Sequence, residues 1–370
     1  MTAEKLILSR MHPDIILIYS KNKCERNGNA MNKNVLKYLI TLMLLMTAVL
    51  TVGCSGKKNF TAYDKEYEQT LTEINLSLDV SDIEVKKAAG DKITLHYFDT
   101  EENFYGIKEE NGVLTVSRSN LGELEENIRF GLGMKKYYKV TLSLPENYTG
   151  KVSLTTTSGD IAIKELVSEK ESINVKTDTG NVKAEGVTLS GLSIDGKSSE
   201  IFLKQINVST VNAVTVAGEV ITKNIDCANF SVKGEAAEVD LDDVSLGQVS
   251  ISITTGEVDL DNVKVGSTIN VSATSGSITA DGIDAGIVSV TSGEGDIYLE
   301  NLWIGSAIYL VSNSGDIDAF ISDEAAGFTL DAVSDYGKNN IAGTAGFGGF
   351  KKLTARSVTG DINVKFGGQR

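Results

Sequence analysis

The chain has few of the residues that interrupt β-structure or build catalytic sites. Only two prolines occur in 370 residues, which suits long strand ladders because proline has no N–H to donate to them. Two histidines and three cysteines are present, without a Gly-x-Ser-x-Gly elbow, a phosphate loop or the Cys/His spacing of a zinc site. Aromatic residues make up 6%, as expected for a narrow core of aliphatic side chains. The sequence therefore offers little for nucleophilic catalysis.

A short phrase that ends in Gly-Asp-Ile, or a close variant of it, returns about every twenty residues from Ser158 onwards, and such a period is typical of a solenoid. Positions two, four and seven residues after most of the turn residues are apolar, as are positions seven and five before them. This alternation predicts short strands with one face inward. The predicted turn residues are Gly159, Gly180, Ser199, Gly218, Ala237, Gly256, Gly276, Gly295, Gly315, Gly337 and Gly360.

The predicted fold class is all-β, a parallel β-helix of about eleven coils of ~20 residues each. A right-handed coil is favoured because crossovers between parallel strands are overwhelmingly right-handed. Glycine at the turn predicts either a positive φ or a close approach of neighbouring coils. The coil at Gly337 departs from the pattern, and we expect a bulge or loop there.

The N-terminal region predicts export and lipid anchoring. Residues 1–30 read as an upstream extension before Met31, and residues 31–53 as a signal peptide, with lysines followed by an apolar run from Tyr38 to Gly53. Leu50–Cys54 resembles a bacterial lipobox, although Thr51 stands where leucine is usual. We therefore predict that Cys54 is acylated, with an uncleaved signal anchor as the alternative, and that residues 54–72 form the anchor and a polar tether.

The rest of the chain divides into two predicted parts. Residues 73–150 are rich in strands but lie off the repeat, which predicts an irregular β cap that protects the end of the coil stack. Within them, Ser81–Val85 echoes the repeat and reads as an early coil. Residues 151–370 form the predicted solenoid. The net charge of −15 argues against a nucleic-acid partner.

The chain resembles the bacterial envelope proteins known as the putative adhesin family. The resemblance rests on Val140–Pro145, on Thr157–Ile161 and on the recurring Gly-Asp/Glu-Ile/Val corners, and it covers roughly residues 74–370. It implies a surface or envelope β-helix, with members often linked to envelope-stress systems. The family has no established biochemical function, so the resemblance supplies no catalytic residue and no cofactor.

Three kinds of side chain are candidates for a catalytic or metal-binding site. His96 lies on an alternating strand and is interpreted as an ordinary strand residue, and Cys227 as a small buried side chain without a disulfide partner. Equivalent positions stack ~4.8 Å apart, which should bring four outward carboxylates onto one face. Such a face could bind Ca²⁺, or it could simply keep the rod soluble. The four residues are Asp240, Asp242, Asp259 and Asp261.

The sequence favours a non-catalytic, lipid-anchored envelope protein that presents its rod to a protein or glycan partner. One alternative is a β-helix polysaccharide lyase or hydrolase, which would need a carboxylate cluster with Lys or Arg in a groove walled by long loops. Here the coils are uniformly short. The other alternative is a structural spacer or sensor partner that has no ligand of its own.

Overall fold

A computed structural model describes residues 60–100, 105–118, 137–341 and 348–367. These residues form nineteen strands and one short 3-10 helix at Ala325–Gly327. The strands are β1 (Thr61–Tyr67), β2 (Glu73–Leu78), β3 (Asp82–Lys87), β4 (Ile93–Asp99), β5 (Tyr105–Glu110), β6 (Val113–Arg118), β7 (Lys139–Leu144), β8 (Lys151–Thr156), β9 (Ile161–Lys164), β10 (Val167–Thr177), β11 (Val182–Ser198), β12 (Ile201–Ser275), β13 (Ile278–Asp281), β14 (Asp284–Ser292), β15 (Ile297–Ser312), β16 (Ile317–Ile321), β17 (Phe328–Ser334), β18 (Lys351–Ser357) and β19 (Ile362–Phe366).

Most strands stack in parallel register, so the prediction of an all-β, solenoid-like fold is confirmed. Repeat-equivalent residues are direct partners in adjacent strands: Ile161 pairs with Val182, and Val182 with Ile201. The inward positions are buried as predicted, including Val258 at 0% exposure. An additional inward column lies nine residues after the turn and contains Cys227, whose predicted burial is confirmed at 2% exposure. The number of coils and their handedness stay predictions.

The turn glycines allow neighbouring coils to approach closely. A Cβ atom built on Gly315 would lie 2.0 Å from the backbone oxygen of Gly295 in the adjacent coil, so no larger residue fits there without a shift of the backbone. A buried hydroxyl three residues earlier completes the corner, since Ser312 Oγ accepts the Gly315 N–H at 2.8 Å. Thr156 and Gly159 repeat this arrangement at 2.9 Å. The close approach predicted for the turn is therefore confirmed.

A second corner, six residues after the turn, uses left-handed backbone. This region of φ is open to glycine and tolerable for asparagine and aspartate, and it is unfavourable for other residues. The sequence follows that preference at most of these corners, and glutamate or glutamine occupies the others. The non-glycine residues, all with φ between 49° and 54°, are Glu165, Gln205, Asn224, Asp243, Asn262 and Asn301. Gly186 and Gly282 occupy the same column with φ of 67° and 72°.

The start of the described chain differs from the predicted cap in two ways. Residues 61–67, predicted as tether, form β1, which pairs antiparallel with β4 and stacks Tyr63 on Tyr97 at 5.4 Å. β2 and β3 lie inside the parallel ladder, each between two other strands: β2 between β6 and β8, and β3 between β7 and β9. The early coil predicted at Ser81–Val85 is thus confirmed. Antiparallel strands β1, β4 and β5 cover this end of the stack.

The other end of the stack is also out of chain order. Sequence spacing predicts that each coil stacks on the preceding one, and this is wrong for the last two. β18 inserts between β15 and β17, and β19 pairs with β16 on one side and with Asn339 on the other. The insertion buries both edges of β18 and makes the coil of β17 the outermost. The inward pattern of alternating aliphatic residues is the same in every coil, so it does not specify which neighbour a coil meets.

The order of the end coils predicts which pairs of introduced cysteines will form disulfides. Tyr309 is the register partner of Thr354, and Thr354 is the partner of Asp331. Adjacent strands lie ~4.8 Å apart, within disulfide range, whereas strands two apart are separated by roughly 10 Å, beyond the ~7 Å limit. Tyr309→Cys with Thr354→Cys should therefore crosslink on mild oxidation, and peptide mass spectrometry would detect the bond. Efficient crosslinking of Tyr309→Cys with Asp331→Cys would instead support stacking in chain order.

Candidate functional site

The four carboxylates of the predicted calcium site lie on neighbouring coils. Burial raises the pKa of Asp240, and the charges of Asp242, Asp259 and Asp261 raise it further, while Lys223 opposes the shift. Lys223 also forms an ion pair with Asp242, so one carboxylate already has a cationic partner. Within the described ranges, no three acidic, histidine or cysteine side chains are grouped to hold a metal ion. The calcium site stays a prediction.

A thermal melt in millimolar Ca²⁺ and in chelator, at constant ionic strength, tests the calcium prediction. A bound divalent cation would relieve the repulsion between the carboxylates and raise the midpoint. The double variant Asp242→Asn, Asp259→Asn should then lose that increase. Coincident midpoints for the wild type, or an unchanged response in the variant, would show that these residues are surface charge alone, screened by salt.

A second acidic surface lies along the turn residues of successive coils. An open groove of about 550 Å³ is floored by small residues that include Gly218 and Ala237. Glu200, Glu219 and Glu238 line it on successive coils. Burial raises the pKa of Glu219, with further contributions from Glu238 and Glu200. The groove therefore repels anions and adds to the acidic character of the rod.

In other coils, the acidic side chains one residue after the turn have a structural role. Asp316 Oδ1 accepts the backbone N–H of Asp361 at 2.7 Å, and Asp361 Oδ1 accepts that of Lys338 at 2.7 Å. Each carboxylate thus satisfies a donor of the next coil at a corner where the strand ladder is interrupted. The aspartate of the recurring Gly-Asp-Ile phrase is in these coils a coil-to-coil hydrogen-bond acceptor, not a catalytic acid.

The histidine considered in the sequence is on the surface of the cap. His96 lies on β4, and its Nδ1 is 2.8 Å from Asp64 Oδ1 on β1. The two side chains are 38% and 67% exposed. Among the hydrogen bonds of the described residues, none joins a hydroxyl or thiol to His96, so the pair lacks the nucleophile of a triad. The interpretation of His96 as a strand residue agrees with this placement.

One buried acid was not anticipated. Glu171 lies within an irregularity of β10, between Ser168 and Ser172, and is 0% exposed. Neither of its carboxylate oxygens has a hydrogen-bond partner, and neither does the buried hydroxyl of Tyr148. Burial raises the pKa of Glu171 to about 8, so the side chain is largely protonated at neutral pH. Burial is the main cause of the raised pKa of Tyr148, and the carboxylate charge of Glu171 contributes to it.

Exposed apolar side chains are concentrated at the C-terminal end of the stack. Of the eleven large apolar side chains that are strongly exposed among the described residues, seven lie between residues 298 and 358. They are Tyr298, Trp303, Val311, Val333, Tyr336, Phe350 and Val358. By contrast, no aromatic residue occurs between Phe230 and Tyr298. The last coils therefore expose more large apolar side chains than the central coils do.

Four of these side chains form one surface, here called the C-terminal patch: Val311, Val333, Tyr336 and Val358. Arg356 lies between Val311 and Val333 in register and forms an ion pair with Asp331. The backbone N–H of Tyr336 bonds to the oxygen of Val358 at 3.0 Å, which places these two residues side by side. Tyr336 itself is 83% exposed. The patch thus combines an aromatic ring, branched aliphatic groups and a guanidinium.

Trp303 and Tyr298 lie on β15, and both precede Val311 of the C-terminal patch. Trp303 is the register partner of Asp284, and it is 51% exposed. Tyr298 is 47% exposed and donates a hydrogen bond to Glu300. Each exposed ring is therefore flanked by a carboxylate, a combination suited to polar ligands that also offer an apolar face.

The predicted lipidation site, Cys54, lies outside the described residues, as do the predicted signal peptide and upstream extension. Within the described residues, no helix has both the length and the apolar character needed to span a membrane. Cys227 is a free, buried thiol, and burial is the main cause of its raised pKa.

Several solved structures are similar to parts of this chain. A "putative adhesin" from Bacteroides fragilis has 16% identity and a TM-score of 0.42, with 66% of this chain and 98% of that one covered. A "putative adhesin" from Parabacteroides merdae has 12% identity and a TM-score of 0.39, with 71% and 97% covered. A "putative cell adhesion protein" from Clostridium sporogenes has 12% identity and a TM-score of 0.23, with 83% and 100% covered. A search of curated proteins found no match.

The family model described as Toastrack DUF4097 matches residues 71–212 and again residues 197–365. The two matches together span the coil stack from β2 to β19. The chain belongs to the Toastrack DUF4097 family.

Proposed function

We propose that this protein is a non-catalytic, adhesin-like protein of the bacterial envelope that contacts a protein or glycan through its C-terminal end. The observation that carries the proposal is the concentration of exposed aromatic and branched side chains there, on a rod that is otherwise acidic. Soluble proteins rarely leave large contiguous apolar patches uncovered. Tyrosine, tryptophan and arginine are the residues that contribute most to binding at protein interfaces, and the C-terminal end presents all three.

Lipid anchoring at Cys54 completes the proposal. Cys54 precedes Phe60 by six residues, a reach of at most ~20 Å. Phe60 packs on Tyr137 at 4.6 Å in the cap, at the end of the stack opposite the C-terminal patch. An acylated Cys54 would tether the chain to the membrane at a point close in sequence to β1 of the cap. The family supports a position in the envelope. The acidic net charge argues against a nucleic-acid partner.

Mass spectrometry of the protein purified from its native membrane tests the anchor. The proposal expects an N-terminal, acylated Cys54, and Cys54→Ser should release the protein into the soluble fraction. A mature chain that starts elsewhere, or that retains residues 31–53, would contradict lipidation. That outcome would not bear on the C-terminal patch, whose role the adhesion assay tests.

An adhesion assay tests the contact surface. Full-length lipoprotein is incorporated into fluorescent vesicles, and their attachment to immobilised glycans and to intact cells is measured. Val333→Thr with Tyr336→Ser and Val358→Thr should lower attachment at least tenfold. Val214→Thr with Val216→Thr is a matched control, because these valines are 42% and 44% exposed, as Val333 is at 44%, but they lie on the central coils. Equal attachment of both variants would contradict the proposal.

The two alternatives have distinct outcomes in the same experiment. A polysaccharide lyase or hydrolase would release unsaturated or reducing sugar ends from the glycans that it binds. A spacer or sensor partner would give no attachment above that of empty vesicles. Neither a Ca²⁺ ion nor any other cofactor is required by the proposed contact.

A further inference from the structure

Among the residues that the structure describes, no carboxylate forms an ion pair with Arg118, a buried arginine in the cap. Arg118 ends β6 on the inward face, after Leu114 and Val116, and is 7% exposed. Its Nη1 donates to Ser81 Oγ at 2.7 Å, and Ser81 Oγ is 2.9 Å from the Tyr105 hydroxyl. The guanidinium lies over two tyrosine rings, 4.4 Å from the centroid of Tyr138 and 5.9 Å from that of Tyr105.

The rest of the guanidinium is unsatisfied. Arg118 Nε and Nη2 are closed to solvent and have no hydrogen-bond partner. The carboxylate of Asp99, which also lies against Tyr105, accepts the Thr100 N–H at 2.8 Å through Oδ1 and the Tyr105 N–H at 3.4 Å through Oδ2. A buried charge without a partner is strongly destabilising. The geometry therefore calls for an anion beside Arg118.

The two free nitrogens define the shape of that anion. Nε and Nη2 form one side of the planar guanidinium, and their N–H bonds point in the same direction. This edge matches two oxygens of a single carboxylate or phosphate, which accept two parallel hydrogen bonds. The tyrosine rings on the faces of the guanidinium supply no competing negative charge and limit its access to water, which strengthens a charge-assisted bond.

We propose that the cap binds an oxyanion, a carboxylate or phosphate group of a small ligand, through Arg118 Nε and Nη2. Tyr138 and Tyr105 hold the guanidinium in place through its faces, and Ser81 fixes its orientation through Nη1. The site is in the cap, at the end of the stack opposite the C-terminal patch, and it does not depend on the adhesive role proposed for that patch.

Thermal melts of the full-length protein test the proposal. The probes are inorganic phosphate and glucuronate, each titrated against sodium chloride at equal ionic strength after prolonged equilibration, because the binding edge is closed to solvent. A ligand that binds only the folded state raises the midpoint in a saturable way. We expect a saturable increase of several degrees with at least one probe, and the probe that acts distinguishes phosphate from carboxylate as the group that is bound.

Arg118→Lys should weaken the apparent affinity at least tenfold, because an ammonium cannot offer two parallel N–H bonds. Arg356→Lys is the matched control, since Arg356 is an exposed arginine paired with Asp331, and it should leave the response unchanged. If Arg118→Lys fails to fold, the Nε–H resonances of the wild type decide: titration should shift one slowly exchanging signal. No saturable response, a response retained in Arg118→Lys, or no shift of a protected Nε–H would overturn the proposal and assign the counter-charge to the chain itself or to water.

Discussion

Val258→Asp should destabilise the rod by on the order of 4 kcal/mol, and the loss should spread beyond its own coil. Val258 is 0% exposed and is the register partner of Ile278 in the next coil. An aspartate there would place a carboxylate among aliphatic side chains without a partner. Because each coil is stabilised mainly by its neighbours, opening at one coil exposes the next. Urea unfolding monitored by circular dichroism measures the free energy, and hydrogen exchange shows how far protection is lost.

The adjacent residue provides the control for this substitution. Asp259 is exposed and points away from the core, so Asp259→Ala should change the unfolding free energy by no more than ~0.5 kcal/mol. A negligible change in the Val258→Asp variant would show that positions two residues after the turn do not face inward. Loss of protection confined to residues near 258 would contradict the dependence of each coil on its neighbours.

Glu171→Gln should stabilise the protein above neutral pH. Glu171 is fully buried with both carboxylate oxygens unpaired, and burial raises its pKa to about 8. Folding near pH 8 must therefore keep a proton that the unfolded chain releases, or bury the bare charge. Glutamine has nearly the same shape and needs no proton. The gain should approach a value on the order of 4 kcal/mol, which corresponds to the separation of the folded and unfolded pKa values.

The pH dependence of this gain follows from the raised pKa. Below the unfolded pKa of about 4.5, both folded and unfolded chains carry the proton, so wild type and Glu171→Gln should differ little. Between that value and about 8 the folded state binds more protons, and the contribution of Glu171 to stability falls as pH rises. Above this window the contribution is constant. The difference in melting midpoint should therefore grow through the window and then level off.

Melts at several pH values, with Glu235→Gln as control, check this expectation. Glu235 is an exposed glutamate on a central coil, and its substitution should not introduce the same pH-dependent gain. The neighbouring ionisable group is Tyr148, whose pKa is raised by burial first and by the charge of Glu171 second. A midpoint difference that is the same at pH 4.5 and pH 8.5 would show that Glu171 is not the group that titrates.

Much of the fold could be predicted because inward positions recur in the sequence. Val258, Ile278 and Ile297 hold the same place in successive coils, and alternation alone assigns them to the core. The left-handed corner was missed, although asparagine, aspartate or glycine recurs there, as at Asn224, Asp243 and Gly282. The apolar pattern that predicts the core does not include this column, because its residues are polar or glycine.

The order of the end coils could not be predicted from the same pattern. Leu353 in β18 and Leu330 in β17 have equivalent alternating surroundings, and either coil could stack on β15. The choice depends on how the whole chain closes the stack, which a local pattern does not encode. The clustering of exposed aromatic residues beyond residue 298 was visible in the sequence, but their exposure depends on which coil lies outermost.

Of the two buried charged residues, the burial of Arg118 could be predicted from the sequence and that of Glu171 could not. Arg118 follows Leu114 and Val116 at a spacing of two, so alternation places it inward, and this signal was available in the sequence. Glu171 lies within the register shift between Ser168 and Ser172, where an irregularity in the repeat spacing indicates a bulge but not the direction of the side chains. Its burial could be recognised only from the packing of neighbouring coils.

Site-specific photo-crosslinking in intact cells tests the central claim, that the protein makes its contact through the C-terminal end. A photoreactive amino acid is placed at Tyr336 in the C-terminal patch or at Tyr63 on β1 of the cap, which are 83% and 41% exposed. We predict a discrete adduct from position 336 that is lost when Val333→Thr and Val358→Thr are added, and none from position 63. Adducts from position 63 alone, or from both positions equally, would contradict it.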